Sequence, residues 1–145
     1  MYRHLLIATD GSELAQKAVI EGLALAKELN ATVTAVTVSE PLVSMFTAEA
    51  AIALPIEDYE GELRSGAQQI LAHVHLTAKQ SGVRCEAVHV KERFPAEGIV
   101  ETARAKNCDL IVMASHGRRG LAKLFLGSQA TRVLGLSPIP VLICK

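Results

Sequence analysis

From Ala114 to Ala130 the chain reads ASHGRRGLAKLFLGSQA, with Gly117 and Gly127, a serine after the second, three cations at Arg118, Arg119 and Lys123, and no carboxylate. A loop of this composition can hold an anion by its main chain. The requirements are convergent amide N–H groups, glycines that let the backbone approach without a Cβ, and the partial positive charge of a helix N-terminus. Gly117 would supply the turn, Gly127 the close approach, and Ser128 both an N-cap and a hydroxyl for a phosphate oxygen. The plainer reading is that Gly127 and Ser128 only start a helix, and the loop alone leaves both readings open.

Ala114 stands where a third glycine would be convenient. With φ negative its methyl group has little backbone cost; with φ positive it costs about 1–2 kcal/mol. Other phosphate motifs do not fit. A Walker loop needs Lys followed by Ser or Thr after its last glycine, and Gly127 is followed by Ser128 and Gln129. A dinucleotide fingerprint needs several glycines after the first strand, where only Gly11 occurs. A receiver domain needs an aspartate closing its third strand, and that strand runs into Lys91.

The elements that must position this loop follow from periodicity. HLLIATD reads as a buried strand, with Ser12 as N-cap of a helix whose apolar face is Ala15, Ala18, Val19, Gly22, Leu23, Ala26 and Leu29. ATVTAVTVS is a second strand ending near Ser39. Residues 40–56, with Pro41 and Pro55, are expected to form a loop with one helical turn around 48–53. Glu57, Asp58, Glu60 and Glu62 then open a helix closed by Gly82. These acids suit the positive end of the helix dipole better than a metal site. VRCEAVHV is the third strand, and Pro95 starts a helix ending near Asn107. DLIVMAS is the most hydrophobic strand and is expected to be central. A short helix from Gly127 and Ser128 to about Leu134 and a closing strand, PVLIC, complete the chain.

Strands alternating with helices predict right-handed crossovers and a doubly wound α/β fold: a five-stranded parallel sheet in the flavodoxin-like order 3-2-1-4-5, with helices on both faces and residues 1–145 forming one domain. The crevice of such a fold lies where strand order reverses, between the ends of strands 1 and 4. ATDGS and MASHG, the two most polar glycine-bearing turns, are thus predicted to meet.

Composition agrees. Half of the 145 residues are hydrophobic and only five are aromatic, which suits an aliphatic core around a buried parallel sheet. Fifteen bases balance fifteen acids, which argues against a nucleic-acid binder acting by general attraction. The last carboxylate is Asp109, so five of the bases lie beyond it unopposed, and a small anion suits that end. Cys85, Cys108 and Cys144 lack metal-type spacing and are expected to be inert thiols in a reducing cytoplasm. LLIA is too short for a secretory h-region, and no apolar run is long enough to cross a bilayer.

The segments ATDGSELAQKA, LIVMASHGRRGLAKLFLGSQATRVL and PIPVLICK together resemble the universal stress protein family in matching order along the whole chain. Nucleotide-binding members share Gly, two residues, Gly, nine residues, Gly, then Ser or Thr. Here the pattern reads Ala114, Ser115, His116, Gly117, nine residues, Gly127, Ser128. The resemblance implies an ATP or related adenine nucleotide site, with Mg²⁺ or Mn²⁺ carried by the phosphates. Carried over by position, Asp10 meets the ribose or adenine edge beside Ala8 and Thr9, and Val38 offers backbone hydrogen bonds to adenine. Met113 and Ala114 line the ribose and phosphate side. Amides of His116, Gly117, Arg118, Arg119 and Gly120, and of Gly127, Ser128 and Gln129, surround the phosphates. Asp10 also reads simply as a turn residue.

Hydrolysis needs a group that orients water. With no carboxylate in the loop, only Asp10 and His116 are candidates, so the sequence points to a binder rather than a turnover catalyst. Two alternatives stand beside a nucleotide-binding regulator: a stress protein that acts through its dimer surface without nucleotide, and a weak ATPase. The resemblance also implies a homodimer through the C-terminal strand, residues 140–145, an apolar edge that proteins usually cover.

Overall fold

The computed structural model describes residues 1–45, 49, 55–117 and 125–145. Along the chain these form β1 (His4–Ala8), α1 (Glu13–Glu28), β2 (Thr32–Ser39), α2 (Leu42–Met45), α3 (Ile56–Ser81), β3 (Cys85–Lys91), α4 (Pro95–Ala105), β4 (Leu110–Ala114), α5 (Ser128–Leu136) and β5 (Val141–Cys144). The sheet order is β3-β2-β1-β4-β5, as expected, and every pairing is parallel.

Strand alternation divides the core between the two sheet faces. On one face Leu5, Ile7, Val33, Ala35, Leu110 and Val112 pack against α1 and α3. On the other, Leu6, Val36, Ile111 and Met113 pack against α4 and α5. Small residues bring the layers close: a Cβ on Gly22 of α1 would lie 2.7 Å from Ile7 Cδ1.

The helix punctuation follows local chemistry. Ser12 caps α1, its hydroxyl oxygen accepting from the Ala15 amide at 3.3 Å. Gly82 closes α3 with φ 74°, a left-handed conformation that favours glycine.

Three expectations change in detail. Residues 42–45 form a short helix, α2, where a loop is expected, and the turn expected around 48–53 lies, apart from Glu49, outside the described residues. β4 is fully buried, yet the middle of the sheet belongs to β1, because β5 flanks β4 on its outer side. α4 stops at Ala105, and Asn107 adopts φ 55° to turn the chain toward β4. Among the described residues no helix is long and apolar enough to cross a membrane.

Candidate functional site

The turn after β1 is built around its own side chains. Thr9, still paired through its amide to Val36 O at 3.0 Å, accepts at Oγ1 from the Gly11 amide at 3.2 Å. Asp10 accepts at Oδ1 from the Ser12 amide at 2.9 Å, an Asx turn leading into α1. Gly11 takes φ 77°, which a residue with a Cβ rarely adopts. The turn reading of Asp10 therefore holds, and it leaves open a second role for the same carboxylate.

The turn after β4 arrives beside it. A Cβ on Gly117 would lie 2.6 Å from Asp10 Oδ2, so the two turns are in contact. Gly117 is needed for that space and not for a positive φ, which among the described glycines belongs only to Gly11 and Gly82. The third component is the start of α5. The Gly127 amide donates to Ser115 O at 2.8 Å, and a Cβ on Gly127 would lie 2.8 Å from that same oxygen and 3.3 Å from His116 Cα. Gly127, at φ −62° and ψ 159°, is itself the N-cap. The N-cap expected at Ser128 is thus displaced by one residue, and Ser128 is the first residue of the helix, exposed to solvent.

The strand ends set the floor. β1 pairs with β2 no further than Ala8↔Val36, while β2 continues to Ser39 alongside β3. Val38 thus has a strand partner on one side only, at a notch above the end of β1. Ala8, Val38 and Met113 lie on the α4/α5 side of the sheet. Ala114 lies on the opposite side, 8 % exposed and packed in the α1/α3 core, in register with Cys144. Its φ is not positive. The extra methyl therefore enters the core and carries no dihedral penalty.

Gln129 has a part that the sequence does not suggest. Its Oε1 accepts from the Ala96 amide at 3.2 Å, so its side chain caps α4, which has no cap from its own N-cap residue, Phe94. One turn on, Arg132 Nε donates to Glu97 Oε1 at 2.9 Å, and this guanidinium holds the Glu97 carboxyl below the usual range. The first turn of α5 is fixed to the first turn of α4 by both contacts. Only the Gln129 amide remains for an anion.

Sequence reasoning missed Ser115. It is 4 % exposed, donates its amide to Cys144 O at 2.8 Å, and accepts from Gly127 through its carbonyl. Its Oγ and His116 Nδ1 are hydrogen-bonded at 3.1 Å. Nothing in its residue type announces this; its place between Ala114 and His116 was the available signal. Arg118, Arg119 and Gly120, with Lys123, lie outside the described residues.

Two of the cavities lined by described residues have volumes of about 290 Å³ and 270 Å³. The second reaches Thr9 and Gly11 from between α1 and α3, and neither is lined by Gly117 or Gly127. Burial pushes the Cys108 thiol up to about 11 and Cys144 up to about 12, and raises Cys85 in the same direction. Among the described residues no three His, Cys, Asp or Glu side chains could hold a metal ion.

Comparison with known proteins agrees with this geometry. The model of the universal stress protein family matches residues 1–145. Universal stress protein MJ0531 of Methanocaldococcus jannaschii is 36 % identical, with all of this chain and 83 % of the relative covered. The solved structure of the hypothetical protein MJ0577 superimposes with a TM-score of 0.79 at 27 % identity, covering 100 % of this chain and 96 % of the other. A universal stress protein crystallised in complex with cAMP superimposes with a TM-score of 0.70 at 26 % identity, covering 98 % and 95 %.

Proposed function

We propose that this chain, which belongs to the universal stress protein family, is an adenine-nucleotide-binding regulator of the stress response, with ATP or a related nucleotide held in the crevice between β1 and β4. One observation carries the reading: the Asp10 turn, the Gly117 turn and the N-terminus of α5 meet with no room for a Cβ at Gly117 or Gly127. Such contact brings main-chain amides and a helix dipole to one place, the arrangement that suits a polyphosphate. A relative that binds cAMP supports it. In this reading the notch at Val38 receives the base, Ala8 and Met113 lie beneath the ribose, and Asp10 accepts from the ribose or the base. The amides of 116–120, Ser128 and Gln129 surround the phosphates, with Arg118 and Arg119 adding charge, while the Gly127 amide, which the sequence also assigns to them, is engaged by Ser115 O instead. Mg²⁺ or Mn²⁺, where present, is held chiefly by the phosphates.

The chemistry assigned is binding. Residues 1–145 act as one domain in a reducing cytoplasm, where the ligand biases shape or partners. We also propose a homodimer formed through residues 140–145, since β5 is an edge strand and Leu142 on it is 39 % exposed.

Calorimetric titration with ATP, AMP and cAMP tests the site. Saturable binding that is lost in Gly127→Val and kept in Cys85→Ser is the expected result. No binding by the unmodified protein would overturn it, and leave the dimer surface as the functional one.

A further inference from the structure

The cavity of about 290 Å³ lies on the α1/α3 face of the sheet, at the ends of β2 and β3. β2 and β3 are in register through Thr37↔His89 and Ser39↔Lys91. Val33, Ala35 and Cys85 belong to the α1/α3 core, whereas Val38, Val88 and Val90 belong to the opposite one. By alternation Ser39, His89 and Lys91 stand on the α3 face. Across from them, Glu60, Leu63 and Arg64 share one face of α3 at three- and four-residue spacing. With Glu40, Leu42 and Glu92 they line a half-open cavity of about 290 Å³, near the lower end of the range for ligand pockets, and Glu60, Arg64, Lys91 and Glu92 stand exposed around it.

The lining has a definite charge pattern. Ser39 Oγ and His89 Nε2 are hydrogen-bonded at 2.8 Å. Burial, then Lys91 and Arg64, push the His89 imidazole below its ordinary value and favour its neutral form. Two cations and three carboxylates remain. None of the three ion pairs formed among the described residues engages any of these five. The carboxylates do not gather into a group that could hold a metal ion. Glu92 keeps φ 54° at the rim, a conformation disfavoured for a residue with a Cβ. A simple anion would meet three glutamates here, and a simple cation two bases. A molecule carrying both charges satisfies both sets, and Leu42 and Leu63 offer contact to an aliphatic body.

We propose that this cavity is a second ligand site, independent of the nucleotide crevice, for a small zwitterion of the aliphatic α-amino acid class. The carboxylate is held by Arg64 and Lys91, and the ammonium group by the surrounding glutamates.

Titration with L-leucine, followed by calorimetry and by amide shifts of β2 and β3, tests it against 4-methylpentanoate, which lacks the ammonium, and isopentylamine, which lacks the carboxylate. Leucine is expected to bind saturably at or below about 10 mM, and each half-ligand about tenfold more weakly or worse. Arg64→Met is expected to lose about tenfold in leucine affinity, and Arg84→Met, outside the cavity, to lose nothing. Absence of saturation, equal binding of either half-ligand, or undiminished binding in a folded Arg64→Met overturns the proposal. A parallel ATP titration separates the two sites. Leucine binding should survive Gly127→Val, and ATP binding should survive Arg64→Met.

Discussion

Replacing Gly127 with alanine tests the junction most directly. At φ −62° and ψ 159° alanine has no dihedral penalty, so the whole cost is steric. The new Cβ would lie 2.8 Å from Ser115 O, 3.3 Å from His116 Cα and 3.4 Å from His116 Cδ2, two of them backbone atoms that cannot rotate away. An unstrained C···O contact needs about 3.3 Å, so the start of α5 must retreat by about 0.5 Å. That retreat stretches the 2.8 Å Gly127–Ser115 hydrogen bond past the usual range. Overpacking costs about 1–3 kcal/mol and the weakened bond about 0.5–1.5 kcal/mol. The stiffer unfolded chain returns about 0.4–1 kcal/mol, leaving a net loss of about 1–3 kcal/mol. Amides displaced by this much should weaken ATP binding about tenfold or more. Gly61→Ala, with nothing within 4 Å of the added methyl, is the control and should stabilise α3 by about 0.5–1 kcal/mol. Urea unfolding followed by circular dichroism, with calorimetric ATP titration, measures both quantities. If Gly127→Ala keeps its unfolding midpoint and its nucleotide affinity, the close approach of α5 to β4 is not what forms the site.

Four further outcomes follow. Ala114→Gly completes the glycine pattern that the resemblance implies, yet it should cost about 0.5–1 kcal/mol in stability and change ATP affinity by less than about threefold; a tenfold gain would contradict the core placement of that methyl. Gln129→Leu removes the acceptor that caps α4 and should destabilise by about 1 kcal/mol, with Gln129→Glu recovering most of the loss; equal unfolding midpoints for Leu and Gln would show the cap to be inert. The folded His89 titrates below its ordinary 6.5, so the unfolded chain binds protons first: stability is full above that value and declines as pH falls below it. His89→Gln should flatten this decline in urea midpoints measured from about pH 7.5 to 5, and an unchanged slope counts against it. Leu142→Lys on β5 should convert a dimer to monomer in light scattering at roughly tens of micromolar, whereas a wild-type monomer there rejects the interface.

Much of the fold was legible because parallel strands buried on both faces leave continuous apolar runs, and their covering helices leave a three-to-four spacing. HLLIA and LIVMA each admit one reading, and Ser12 and Gly82 mark helix ends by chemistry that acts locally. The short helix at 42–45 was not legible, since LVSM carries neither a cap nor a full turn of periodicity. The central place of β1 followed from the strand order expected of the fold and not from hydrophobicity. Strand hydrophobicity reports burial, and β1 and β4 are both buried; only the topology says which has two strands on each side. At the junction of turns, Gly117 and Gly127, where a Cβ would collide with neighbouring chain, were found by spacing. Contacts made by side chains across the fold were not, and Gln129 on Ala96 is the instance: a glutamine after a Gly-Ser pair gives no sign that its amide oxygen reaches another helix.

The motif glycines separate by what a Cβ would meet, which explains how one of them can be alanine while the spacing of the others is kept. At position 114 the strand is regular, so the side chain alternates into the α1/α3 core, and a methyl group is accommodated there as any small apolar residue would be. At 117 the Cβ direction points at the Asp10 carboxylate, and at 127 at the backbone of 115 and 116. Those two positions lie where chain segments remote in sequence touch, and a side chain at either one separates the turns that form the crevice. Alanine at 114 is thus compatible with the proposed site. The test of that site lies in the pair Gly117 and Gly127, and both are present.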